Sequence, residues 1–259
     1  MRLFEFEDLD WFPDFLRESM TDYLRFVLSA VNFYYPVTTI IREGLENAER
    51  FTIIDLCSGG GGAIKKIQKN FHDTYFLSLP VILTDKFPNF EAFHLLKKES
   101  NGDIDFAGYP VDAMNVPPEL KGLRTIFSAF HHFNKEHAKL VLQDAVTARQ
   151  PIAVFDGGDK NIFTVLGIII FHPVIFFLFT PFFRPFRFSR IIFTYLVPLI
   201  PLCTIWDGVV SIMRLYKPAE LLVIANSINN HSFTWKAGNL KNKFGMKVTY
   251  LLGYPEISA

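Results

Sequence analysis

Residues 51–67 read FTIIDLCSGGGGAIKKI: an apolar run that ends on an acid, four consecutive glycines, then a helix-like pattern. Glycine loses more conformational freedom on folding than any other residue, so four in a row signal a backbone that something must approach closely. Three loop types compete. A phosphate-binding P-loop needs GxxxxGK followed by Ser or Thr. Here Ala63 and Ile64 follow Gly62, and Lys65 and Lys66 fall out of register. A dinucleotide fingerprint needs GxGxxG or GxGxxA. Counted from Gly59 or Gly60, its last position falls on Ile64 or Lys65, whose bulk blocks close packing of helix on strand. The third pattern is an acid two residues ahead of alternating small residues: Asp55, Cys57, Gly59 and Gly61.

Outward from this loop, strands and helices alternate. FTIIDL, VILTD, IDFAGYP, RTIFSAF and PIAVFDGG read as short apolar strands, and AIKKIQKNF, NFEAFHLLKKES and KEHAKLVLQDAVTA as helices between them. That alternation predicts a mostly parallel sheet with helices on both faces. AELLVIANSI and MKVTYLLGYP read as two last strands, which makes seven. Ahead of the loop, apolar residues at helical spacing predict helices over residues 1 to about 47, with Pro13 near a helix start. The division that follows is an N-terminal helical segment (1–49), an α/β core (50–160 and 207–259) and an apolar insertion (161–206).

Composition narrows the partners. Lysine plus arginine and aspartate plus glutamate number 26 each, so no global field favours nucleic acid. Cys57 and Cys203 belong to no Cys/His ligand spacing, so neither a metal nor a disulfide framework is expected. The acidic start MRLFEFEDLD lacks a signal-peptide apolar core, and the expected location is the cytoplasm.

The ordered set of motifs resembles the class I S-adenosylmethionine-dependent methyltransferases of the small-molecule type. Their nucleotide loop is an acid followed by alternating glycines; Cys57 stands here in place of the first glycine. The resemblance implies a Rossmann-like, doubly wound, seven-stranded sheet and S-adenosylmethionine as cofactor. It implies that Asp55, Cys57, Ser58, Gly59 and Gly61 form the cofactor loop, with Asp55 facing the ammonium group directly or through water. Asp85, in VILTDKFPN with Lys86, would accept the ribose hydroxyls. Asp112, Ala113 and Met114, in GYPVDAMNVP, would hold the adenine. TIFSAFHHF (125–133) resembles the segment beside the cofactor's methionine part, which brings in Ser128. The series in WDGVVSIMRLYKPAEL (206–221) also resembles some small-molecule enzymes of this kind. Of His131 and His132, an extended chain would turn only one to the pocket; His131 is taken as the candidate catalytic residue. Asp207 and Arg214 are spaced to pair across two helical turns.

The insertion is almost wholly apolar. Residues 162–183 are long enough to span a bilayer by length alone, and 191–206 are shorter and hold Pro198 and Pro201. Arg184, Arg187 and Arg190 lie between them with no acid. If both segments crossed, that basic loop would face away from the enzyme core, against the positive-inside tendency. Two roles carry equal weight: an apolar hairpin peripheral to the membrane, its arginines on anionic headgroups, or a cap over the site or homodimer interface that buries the phenylalanines. Either way the expected substrate is a hydrophobic or amphipathic small molecule, such as a lipid, quinone or polyketide-like aromatic. The resemblance also implies that the N-terminal segment, 1–49, closes over the same pocket as a lid. The competing class is a membrane-associated scaffold without turnover.

Overall fold

A computed structural model describes residues 3–228 and 232–256. Strands β1 (Ile53–Leu56), β2 (Val81–Leu83), β3 (Ile104–Phe106), β4 (Leu123–Phe127) and β5 (Ile152–Gly157) are parallel. β6 (Phe233–Lys241) and β7 (Lys247–Pro255) form a hairpin, and β7 pairs antiparallel with β5. The sheet order is β3-β2-β1-β4-β5-β7-β6. The chain therefore winds outward in both directions from β1 and β4.

Two cores follow from strand alternation. Ile54, Ile126 and Val154 point to one face, against α5 (Lys135–Thr147) and α9 (Pro218–Asn226). Ile53, Leu123, Ala153 and Phe155 point to the other, against α2 (Thr38–Glu46), α3 (Ile64–Tyr75) and α4 (Phe90–Glu99). So α2 is part of the sheet's packing. Of the segment expected as a lid, α1 (Asp14–Ala30) and the strap before it border the cleft described below.

Two expectations are corrected. AELLVIANSI is not a strand but helix α9; Pro218 occupies its first turn, and the Lys217 N–H donates to Glu220 Oε2 at 2.9 Å in a capping box. The sixth strand is FTWKAGNLK, which the sequence reading passed over. The insertion comprises α6 (Ile162–Phe179), α7 (Phe188–Tyr195) and α8 (Leu199–Arg214). α6 continues through Pro173, and α8 runs unbroken across the predicted boundary at 206.

A third core joins the insertion to α1. Leu16, Met20 and Tyr23 pack with Phe176, Phe183, Ile200 and Cys203, and the Tyr23 and Phe176 rings stack at 3.9 Å. Behind it, Asp22 pairs with Arg190, with Arg187 at 3.3 Å and with Arg25 at 3.5 Å. Arg187 also reaches Glu18 at 2.7 Å and Glu91 at 2.9 Å. Two of the three insertion arginines expected to meet headgroups are thus spent inside the protein; Arg184 alone of them is exposed.

Candidate active site

The carboxyl ends of β1, β2 and β4 and the turn after β3 open on one cleft of about 760 Å³. Ligands of open α/β sheets bind at this end. Cys57, Ser58, Gly59, Lys86, Asp112, Ala113, Met114 and Ser128 all line it, as does Asp85.

Asp55 and Gly61 do not line it. The Asp55 carboxylate is buried behind the turn, where it accepts 2.7 Å hydrogen bonds from Ser58 Oγ and, across the ladder, from Thr125 Oγ1 on β4. Burial, against the pull of those two bonds, pushes its pKa up to about 7. In that position it shapes the loop. Gly61 has φ +85°, and a Cβ there would fall 2.1 Å from a Leu96 methyl, so this glycine seats the loop on α4.

What the glycines admit is, in part, the protein's own helix α1. A Cβ on Gly60 would lie 2.9 Å from the backbone carbonyl of Thr21 on α1, and Arg25 Nη1 donates to Gly60 O at 3.1 Å. Asp85 links the loop to the next turn: its two oxygens accept the N–H groups of Gly59 at 2.7 Å and Phe87 at 2.8 Å. Burial raises its pKa against those two bonds. The β3 turn is tied to the same place by Val111 N–H on Asp85 O at 2.8 Å, and Asp112 Oδ1 accepts Met114 N–H at 2.8 Å. Ser128, at φ +52°, hydrogen-bonds the buried Tyr34 hydroxyl.

The histidines sit in a 3-10 turn (Phe130–His132), so the extended-chain alternation does not apply. His131 is buried with Nδ1 3.0 Å from Asp156 Oδ1 and does not line the cleft; His132 does. His132 Nδ1 lies 2.7 Å from Asp8 Oδ1, and Nε2 3.5 Å from Glu5 Oε2. Burial works against its charge, but Glu5, Asp8 and Glu7 prevail and raise its pKa to about 10. In this arrangement it is an imidazolium, with no lone pair for proton abstraction.

The strap before α1 was not foreseen. Arg214 Nη1 holds Glu5 Oε1 and Asp8 Oδ2, both at 2.7 Å. Asp207 instead accepts the N–H groups of Phe6 at 2.8 Å and Glu7 at 3.1 Å, so the expected Asp207–Arg214 pair is replaced by two anchors for one strap. Carboxylate and imidazole atoms of Glu5, His131 and His132 come within 4.8 Å of one another. Arg214 already supplies a cation there.

No family model matches the chain, and no curated protein matches it. Solved structures do. A SAM-dependent methyltransferase from Aquifex aeolicus superposes with TM-score 0.50 at 11% identity, over 91% of this chain and 97% of that one. Human N-acetylserotonin methyltransferase in complex with SAM gives TM-score 0.50 at 12% identity, over 91% of this chain and 56% of that one. The chain has the Rossmann-like, seven-stranded fold of the class I S-adenosylmethionine-dependent methyltransferases.

Proposed function

We propose that the protein is an S-adenosylmethionine-dependent methyltransferase acting on a hydrophobic or amphipathic small molecule. The observation that carries this reading is the convergence on one cleft of the Cys57–Gly60 backbone, Asp85 at the end of β2 and the Asp112–Met114 turn. The residues fit the cofactor. Asp85, fixed by two N–H donors, keeps lone pairs for vicinal hydroxyls. Asp112 can accept an exocyclic amine beside the Met114 side chain. The rim adds Asp8, Asp10, Asp14 and Glu18 against Arg17, Lys86 and His132, a balance that suits a cation.

Bound there, S-adenosylmethionine supplies a methyl group already activated by its sulfonium. The chain's share is to hold donor and acceptor in line and exclude water, which is catalysis by proximity. Leu24, Leu28, Phe127 and Phe133 supply an apolar wall in the same cleft, which is the support for an apolar acceptor. No residue is assigned as general base: His131, paired with Asp156, does not line the cleft, and the neighbouring acids favour the protonated form of His132.

Calorimetric titration with S-adenosylmethionine and S-adenosylhomocysteine tests the proposal. Wild type should bind in the micromolar range, and Asp85→Ala should weaken binding at least about tenfold, the loss of a hydrogen bond to a charged group. Folded wild type that binds neither compound would sink it.

A further inference from the structure

The most apolar 18-residue window of Ile162–Phe182 has mean hydropathy 2.6, yet only 6% of it is buried. Phe163, Ile170, Phe171, Leu178 and Phe182 are each more than half exposed. A helix that is apolar all round belongs inside a large protein or in lipid, and the outer side of α6 lies against neither.

Its few polar side chains are turned away from that side. Thr180 is buried and donates to Phe176 O at 2.7 Å; the His172 ring lies 5.4 Å from that of Tyr23; Thr164 serves the Asn161 cap. The outer face therefore offers no side-chain hydrogen bonds. A protein partner would normally find one per 100–200 Å² and a polar rim; hydrocarbon needs none. Charge points the same way. No acid occurs from Asn161 to Trp206, and the stretch is bracketed by exposed Lys160 and Arg184. Cations at the edges of an apolar face reach lipid phosphates.

The helix is long enough to cross a bilayer, but its inner side is committed. Phe176 stacks on Tyr23 of α1, and Ile168 packs on Gly208 of α8. A crossing would draw α1, with its buried Asp22 and three arginines, into hydrocarbon. We infer that the outer face of α6, with the turn into α7, docks in the plane of an anionic lipid bilayer, the rest of the protein standing where the polar face of an interfacial helix would be. α6 starts five residues after the end of β5, on the cleft side of the sheet. On the methyltransferase reading, the docked enzyme would take an amphipathic acceptor directly from the lipid.

Flotation tests the docking, using full-length protein with vesicles of phosphatidylcholine alone or mixed with phosphatidylglycerol. Wild type should float, more strongly with the anionic vesicles. Each large apolar side chain withdrawn from lipid is worth roughly tenfold in partitioning. Ile170→Glu, Phe171→Glu and Leu178→Glu together should therefore lower the bound fraction by at least about a hundredfold. Arg184→Glu, on an exposed turn, should weaken binding to the anionic vesicles and leave the neutral ones unchanged. S-adenosylhomocysteine affinity in solution is measured on every variant; a value equal to wild type shows that the fold is kept. Flotation without any cofactor binding would support docking and sink only the methyltransferase reading. Failure of wild type to float with either vesicle overturns the docking. So does a discrete dimer in sedimentation velocity that the triple substitution splits, since a second copy would then cover the face.

Discussion

Replacing Asp22 by alanine should damage this protein more than any exposed charge change, and in two places at once. The Asp22 side chain is fully buried, and it faces Arg190 (1% exposed), Arg25 (10%) and Arg187 (14%). Burial pushes its carboxyl above the usual range, against the pull of these three guanidinium groups. Truncation leaves them facing one another with Glu18 and Glu91 as the nearest compensation, both reached only by Arg187. Breaking a buried pair typically costs about 3–5 kcal/mol. For a chain of this size, 1 kcal/mol moves Tm by about 2–4 °C, so the expected loss is roughly 6–20 °C. The second effect is on the cleft. Asn89 lines it and is held by Arg187 Nη2 at 3.2 Å and, weakly, by Asp22 at 3.5 Å. S-adenosylhomocysteine affinity should fall along with Tm. Scanning fluorimetry and calorimetry on wild type, Asp22→Ala and Asp22→Asn provide the readout, the amide falling between the other two. A loss below about 2 °C, under 1 kcal/mol, would mean that water or a rearranged acid already serves the arginines, and would refute the claim that Asp22 pins the insertion to α1.

Neighbouring glycines should differ sharply. Gly60→Ala forces a methyl to 2.9 Å from the α1 backbone and should cost about 1–3 kcal/mol, with faster proteolysis within α1; Gly62→Ala meets nothing within 4 Å and pays only its φ of +44°, about 1 kcal/mol. Asp55 is one of three acids, with Glu7 and Asp207, that set the pH dependence; burial raises the other two to about 8 and about 7. The folded pKa of Asp55, about 7, exceeds the ordinary carboxylate value of 3.8, so the folded state holds the extra proton and its contribution falls as pH rises from about 4 to 7. Asp55→Asn should make the Tm–pH curve less steep over that window, whereas Asp55→Ala should lower Tm throughout, because Ser58 and Thr125 lose their acceptor. His132 should keep its proton to about pH 10, so its imidazole resonances should be flat from pH 6 to 8 in an NMR titration; a midpoint near 6.5 would show that the strap acids do not hold it.

The parallel half of the sheet was legible because each of its strands is a short apolar run ended by a turn signal. α9 was misread because LLVIA carries no periodicity of its own, and such runs suit a strand or a buried helix equally. Its start signals, Pro218 and Glu220, were in plain view. β6 was missed for the opposite reason: it is an edge strand, with Gly238 and Asn239 diluting the alternation of Phe233, Trp235 and Ala237. In the cleft, residues on loops after strands were located from sequence because the loops carry them wherever the strands go. The bond that holds Asp55 back from the cleft was not legible, because its partner Thr125 lies 70 residues away, across the ladder. The strap acids were invisible for the same reason, since Glu5 and Asp8 meet Arg214 more than 200 positions on.

Three successive residues of α1 explain why the loop, the insertion and the cleft belong to one device. Side chains on a helix step about 100° apart, so neighbours in sequence face different bodies. Thr21 turns its backbone to Gly60, Asp22 takes the arginines of the insertion, and Tyr23 stacks on Phe176 of α6. A helix bound on one side alone could shift without consequence. Here a displacement large enough to relieve the apolar contact at Tyr23 must also move the carboxylate from Arg190 and the carbonyl from Gly60. The first change strands buried charge, and the second opens the turn beside which Asp85 is held. Two of the four glycines thus serve an internal fit: Gly60 and Gly61 have no space for a Cβ against α1 and α4, while Gly62 has room to spare. A motif chosen only for cofactor approach would have no reason to be tight at Gly61, whose neighbour Leu96 lies outside the cleft.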